Sequence, residues 1–283
     1  MGMGEFLEVN GCKLYVEDVG PRDATAVIVF HGGPGLGSHR EPLNAFRPFT
    51  DKYRVVCCDQ RGNGVSELKP PYTHRQWIAD ADALRVMLGL GEKVVIAGGS
   101  YGGFLAQEYT LAYPDRVLAL ILRDTACDNE HQEAAKQNAL KSDRIKVDPV
   151  KLERIFDGKC YDDADFYDCF KEITPLYDAN WDPARDEEKL KAIIFHAETH
   201  NAAFSQEMPD WDLSGRLHEI KVPTLIVCGR HDWVTPLAAS EKIHALIGHS
   251  QLAIFENSGH APAAEEPERW KVVVGEFLER NVG

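Results

Sequence analysis

Two kinds of apolar spacing organise the first 126 residues. Glu5–Val9 and Lys13–Val19 flank Asn10-Gly11, a dipeptide suited to a two-residue turn, and predict an opening hairpin. Ala26–Phe30, Arg54–Cys58, Val94–Ala97 and Val117–Leu122 are short continuous apolar runs, the pattern of strands covered on both faces. Between them, Trp77, Ile78, Ala81, Leu84, Met87 and Leu88 fall on one face of a helix spanning Thr73–Leu88. A second helix is predicted over Gly102–Tyr113, ended by Pro114.

From about Cys127 to Asp212 the strand-like runs stop. Charged residues become dense, and apolar residues return at helical spacing, as in Leu190–Phe204. Strand patterning resumes at Val222–Cys228 and Leu252–Phe255, followed by a closing helix over Glu268–Leu278. Alternating strands and helices imply a parallel sheet with right-handed crossovers. The expected fold class is therefore α/β: a mostly parallel sheet of eight strands, with a helical cap inserted after the sixth. The expected division is a core of residues 1–126 and 213–283 and a cap of residues 127–212.

Composition narrows the function classes. With 283 residues, 44% hydrophobic and 27% charged, the chain can bury a core without staples. A formal net charge of -14 argues against nucleic acid or an anionic membrane as partner, because both need clustered Lys and Arg. No apolar run approaches the roughly 20 residues of a membrane span. Met1–Phe6 lacks the features of a secretory leader, and Phe6 breaks a Gly2 myristoylation motif. The seven cysteines form no CxxC and read as idle thiols in a reducing cytoplasm.

The chemistry concentrates where strands end. In Val94-Val-Ile-Ala-Gly-Gly-Ser-Tyr-Gly-Gly103, the sequence Gly98-x-Ser100-x-Gly102 sits between a strand and a helix. A nucleophile on such a sharp turn needs small neighbours, and the following helix aims free N–H groups at a developing oxyanion. His31-Gly-Gly-Pro-Gly35 follows the strand Ala26–Phe30, where a second oxyanion donor is expected. The backbone N–H groups of Gly33 and Tyr101 are the candidates. Asp232 follows the strand that ends at Cys228, and His260 follows the strand that ends at Phe255. The order Ser, Asp, His suits Ser100 as nucleophile, His260 as general base and Asp232 as the group that orients it. Among the eleven histidines, His31 precedes the expected order and reads as structural, and His231 precedes the acid. His196 and His200 stand at i, i+4, but residue 197 is Ala and no HExxH occurs, so neither metal nor cofactor is expected.

Taken together, HGGPG, Asp59-Gln-Arg-Gly-Asn-Gly-Val-Ser66, GGSYGG, Gly229-Arg-His-Asp232 and Ser258-Gly-His260 resemble the proline iminopeptidase family of α/β hydrolases. The likeness covers nearly the whole core, with an echo in Glu198–Phe204 and Trp211-Asp-Leu213. It implies the same triad, and release of an N-terminal residue, often Pro, from small peptides or aminoacyl amides. It also implies carboxylates that hold the substrate's ammonium group. Glu198 and Glu207 are the candidates, with Asp210 behind them. Some relatives carry Glu directly after the catalytic Asp; here that position is Trp233, which is counted with the substrate-binding residues. Asp59 and Arg61 are expected to brace the HGGPG loop. The alternative is a carboxylesterase or lactonase using the same triad on small neutral substrates. A non-enzymatic binder with a relic site is the third class. The sequence leaves the oligomeric state open.

Overall fold

The computed structural model describes residues 4–282. Met1–Met3, half of the segment read for a leader, lie outside the described residues. The strands are β1 (Glu5–Val9), β2 (Cys12–Val19), β3 (Ala26–Phe30), β4 (Arg54–Cys58), β5 (Val94–Gly99), β6 (Val117–Arg123), β7 (Thr224–Gly229) and β8 (Ser250–Phe255). They form one sheet in the order β1-β2-β4-β3-β5-β6-β7-β8. Only the β1/β2 and β2/β4 pairs are antiparallel; every pairing from β4 to β8 is parallel. Asn10 and Gly11 take φ 48° and 70°, the left-handed pair that closes the opening hairpin.

The helices are α1 (Arg40–Phe46), α2 (His74–Met87), α3 (Tyr101–Ala112), α4 (His131–Lys141), α5 (Pro149–Phe156), α6 (Asp163–Ile173), α7 (Pro183–Lys191), α8 (Ala197–Ala202), α9 (Leu237–Leu246), α10 (Pro262–Glu265) and α11 (Pro267–Val282). Successive residues of a strand point to opposite faces. In β5, Val94 and Ile96 accordingly join one core, with Trp77, Leu84, Leu105, Tyr109 and Ile243. Val95 and Ala97 join the other, with Phe46, Trp270, Phe277 and Leu278. Thr73 caps α2 by accepting the Gln76 N–H, which fixes the helix start one residue inside the predicted range.

Between β6 and β7 the chain makes a helical excursion that leaves and returns at one place. Leu213 N–H donates to Cys127 O at 2.7 Å, and Asn129 N–H donates to Trp211 O at 3.0 Å. A third apolar cluster lies here, built on Phe156, Phe166, Phe170, Leu176 and Phe195. It reaches down to Trp233 and to Leu36 of the loop after β3. The helical stretch predicted over Leu190–Phe204 is interrupted. Helix α7 stops at Lys191, and His196 N–H donates to Gly35 O at 2.7 Å before α8 begins. That bond draws the segment onto the HGGPG loop and breaks the helical run. After α8 the chain widens into a π-helical turn over Ala203–Glu207, closed by Met208 N–H to Ala203 O. Among the described residues, no helix is long and apolar enough to cross a membrane, and all seven cysteines are free.

Candidate active site

The carboxyl ends of β3, β5, β6, β7 and β8 converge on one rim of the sheet. The centre of that rim is the turn between β5 and α3. Ser100 there adopts φ 54° and ψ -128°, a strained conformation for a residue with a Cβ, costing about 1–3 kcal/mol. The turn is held from both sides. Ser100 N–H donates to the carbonyls of Arg123 at 2.9 Å and Asp124 at 3.1 Å. Thr125 Oγ1 donates to Ser100 O at 2.8 Å. Gly102 is required by close approach: a Cβ there would stand 2.3 Å from Phe30 O. The strand–turn–helix motif therefore presses α3 against β3.

The HGGPG loop stands over this turn. A Cβ on Gly32 would lie 2.8 Å from Ser100 Cβ and 3.4 Å from its Oγ. The loop backbone thus faces the hydroxyl directly. Among the described residues, the N–H groups of Gly33 and Tyr101 donate to no protein acceptor. The loop is braced mainly by Asn63, whose Oδ1 accepts the Gly35 N–H at 2.6 Å. Asp59 holds its far end through the His39 N–H at 2.6 Å. Arg61 does not reach the loop; it pairs with Asp80 of α2 at 2.7 Å. His31 is buried and structural: Nδ1–H donates to Gly32 O at 2.9 Å, and Nε2 accepts the Gln60 N–H at 3.1 Å.

At the other side of the rim, His260 Nδ1–H donates to Asp232 Oδ2 at 2.8 Å. That bond leaves the lone pair on Nε2. Asp232 is fixed by its own loop, accepting the N–H groups of Val234 at 3.0 Å and Thr235 at 3.1 Å and the Thr235 hydroxyl at 2.7 Å. His260 N–H donates to Tyr177 O at 2.7 Å, and the two rings meet edge to face at 5.3 Å. Burial works to lower the imidazole pKa, but the charge and hydrogen bond of Asp232 outweigh it and hold it above the ordinary value. Among the described residues, no hydrogen bond joins Ser100 Oγ to His260. Catalytic contacts of this kind are commonly loose without substrate and tighten on binding.

The three candidate substrate contacts fall in different surroundings. Glu198 is exposed and lines a surface groove of about 480 Å³ with Tyr161, Asp162, Asp163 and Asn201. Glu207 is half-buried, and its Oε2 accepts the His74 N–H at 3.0 Å. It borders a polar network in which His74 lies 2.5 Å from both the Tyr101 hydroxyl and Glu108, and Trp211 Nε1–H donates to Glu108 at 2.7 Å. Trp233 packs edge to face on Tyr177 and Phe156, at 5.5 Å and 6.3 Å, with its Nε1 buried and without a hydrogen-bond partner among the described residues. Sequence reasoning passed over Tyr177, Thr235, Asn63 and Asp124. Asp124 carried a legible signal, as an acid two residues past the apolar strand run Val117–Leu122; Tyr177 carried none.

Comparison with known proteins agrees with this architecture. Residues 25–267 match the model of the alpha/beta hydrolase fold family. Over 268 residues the chain is 37% identical to the proline iminopeptidase PfmaB of Pestalotiopsis fici, covering 93% of this chain and 95% of that protein. Among solved structures, the proline iminopeptidase of Mycobacterium smegmatis superposes with a TM-score of 0.78 at 21% identity, over 99% of this chain and 98% of that one. A thermophilic esterase from Thermogutta terrifontis superposes with a TM-score of 0.77 at 24% identity over 100% of both chains. At these identities the superpositions speak to the fold.

Proposed function

Because the chain belongs to the α/β-hydrolase family, and within it to the proline iminopeptidase-like group, and is accordingly a hydrolase, we propose that it is a serine aminopeptidase that releases an N-terminal residue from small peptides or aminoacyl amides. The observation that carries the reading is the Asp232–His260 hydrogen bond at the same sheet rim as the strained Ser100 turn.

In this mechanism Ser100 Oγ attacks the carbonyl carbon while His260 Nε2 takes its proton. The tetrahedral oxyanion accepts hydrogen bonds from the N–H groups of Gly33 and Tyr101. The C–N bond then breaks, the leaving amine takes the proton from Nε2, and an acyl-enzyme remains. Water then attacks the acyl carbon while giving a proton to Nε2; the bond from that carbon to Ser100 Oγ breaks, Oγ takes the proton back from Nε2, and the residue leaves as its free acid. Asp232 keeps the imidazole in one tautomer and balances its charge in the transition state. Residues 127–212 act as a cap over the core of residues 1–126 and 213–283, and the cap limits substrate length. Glu207 supplies negative charge for the substrate ammonium, Glu198 a more exposed carboxylate, and Trp233 an apolar wall.

A second reading, esterase or lactonase action on neutral substrates, draws support from two observations. Glu207 already accepts a backbone N–H, and a tryptophan stands directly after Asp232. The two readings separate in one assay. The aminopeptidase hydrolyses prolyl and alanyl arylamides but not their N-acetyl forms. Turnover of acyl esters or lactones with no arylamide activity overturns it in favour of the second.

A further inference from the structure

The end of β6 carries a buried acid that the steps above do not use. Asp124 directly follows β6, is 1% exposed and adopts φ 45°, a left-handed conformation its surroundings must enforce. It joins three arms of the site. Its N–H donates to Val227 O at 2.8 Å, and its carbonyl accepts the Ser100 N–H at 3.1 Å. Its Oδ1 accepts the Gly229 N–H at 2.8 Å, at the root of the loop that carries Asp232. Its Oδ2 is buried without a hydrogen-bond partner among the described residues. One oxygen of Asp124, Cys228 Sγ and one oxygen of Asp232 all lie within 4.8 Å of one another.

Two carboxylates this close, away from water, do not both keep a charge easily. Asp232 already holds the donors of Val234, Thr235 and His260, whereas Oδ2 of Asp124 has none. We propose that Asp124 is a positioning residue for His260, protonated on its unpartnered oxygen in the resting site, and that loss of this proton to solvent adds a second negative charge beside the Asp232–His260 pair. The proposal rests on His260 being the general base.

Burial first, then the charge of Asp232, pushes Asp124 up to about 7, against opposing pulls from His260 and Arg123. Asp124 and His260 each act on the charge of the other across the end of β6. Arg123, on the same strand, is paired with Glu41 of α1 at 2.9 Å. Burial, reinforced by Asp124 and Asp232, keeps the Cys228 thiol of β7 protonated, and burial near Asp232 keeps the Tyr177 phenol protonated. Burial lowers the His131 imidazole of α4 below the ordinary histidine value, which favours its neutral form. Asp124 and His260 therefore titrate as a pair. Once Asp124 is ionised, its charge holds the imidazolium proton to higher pH.

The test is the imidazole NMR titration of His260 in the whole chain, from about pH 5 to 9. The proposal expects two inflections. In Asp124→Asn it expects one, with a midpoint about one unit lower, and the acid limb of kcat/KM moving the same way. A single inflection in the native chain overturns it, as does an Asp124→Asn midpoint that stays in place. If that variant does not fold, the native titration alone decides. Because the titration needs no substrate, it stands even where the aminopeptidase assay fails. A purely structural role for Asp124 would leave the imidazole titration unchanged.

Discussion

The carboxyl rim of the sheet and the helical excursion above it hold their side chains by different means. On the rim, Ser100, Asp232 and His260 are fixed through backbone amides and carbonyls a few residues from a strand end. The excursion is held instead by aromatic packing, with Phe166 stacked on His200 at 4.1 Å and edge to face with Phe195 at 5.1 Å. Its acidic residues mostly face water, and backbone groups tie it to the rim, with Tyr177 O accepting the His260 N–H and Gly35 O accepting the His196 N–H. Under the proposed function the contrast separates two tasks. Chemistry depends on tenths of an ångström and is built where the sheet hydrogen bonds fix the backbone. Selectivity depends on the shape of a wall, which loosely repacked side chains can set.

The comparison can be broken or sharpened by experiment, beginning with the rim. Asp232→Asn removes the charge behind His260 and permits the wrong tautomer, so kcat should fall about 10⁴-fold with the fold kept, as read by turnover and circular dichroism. Phe166→Ala, in the excursion, should do the reverse. The ring is fully buried, and its loss should cost about 3–5 kcal/mol of stability, seen in chemical denaturation, while kcat on the smallest substrate changes far less. A large kcat loss with no loss of stability would contradict the division of tasks.

The pH profile offers a smaller effect with a definite sign. In the proposed mechanism His260 must be neutral to accept the Ser100 proton. Its pKa is held above the ordinary histidine value by Asp232, so activity is lost as pH falls through that raised pKa. The acid limb of kcat/KM should therefore have its midpoint above about 6.5, and a midpoint below it would be inconsistent with the Asp232 contact. The smallest effect is expected at Glu207→Gln. KM for free-amine arylamides should rise several-fold, on the order of 1 kcal/mol, with kcat little changed. Equal kinetics on free and blocked substrates would remove Glu207 from ammonium binding.

Much of the rim was legible in the sequence because its constraints are local. The glycines around Ser100 announce a turn with no room for side chains, and Asp232 and His260 each follow an apolar strand run within a few residues. The eight strands and the place of the excursion followed from the same runs. Other features depended on contacts between distant segments. Arg61 was expected at the HGGPG loop, but Asp80 of α2 is the nearer acid and claims it. The helical run predicted through Leu190–Phe204 is broken because His196 is drawn to Gly35, 161 positions earlier in the chain. Tyr177, whose carbonyl holds His260, sits in a stretch with no motif at all. Asp124 was visible as a residue but not as a neighbour of Asp232, since only the packing of β6 beside β7 joins them.

The serial arrangement of hydroxyl, imidazole and carboxylate is tested most directly by intact-mass analysis after treatment with a fluorophosphonate. The account predicts a single adduct, mapped to Ser100, that forms slowly or not at all in His260→Ala. An adduct at another residue, or full-rate labelling of Ser100 without His260, would contradict it.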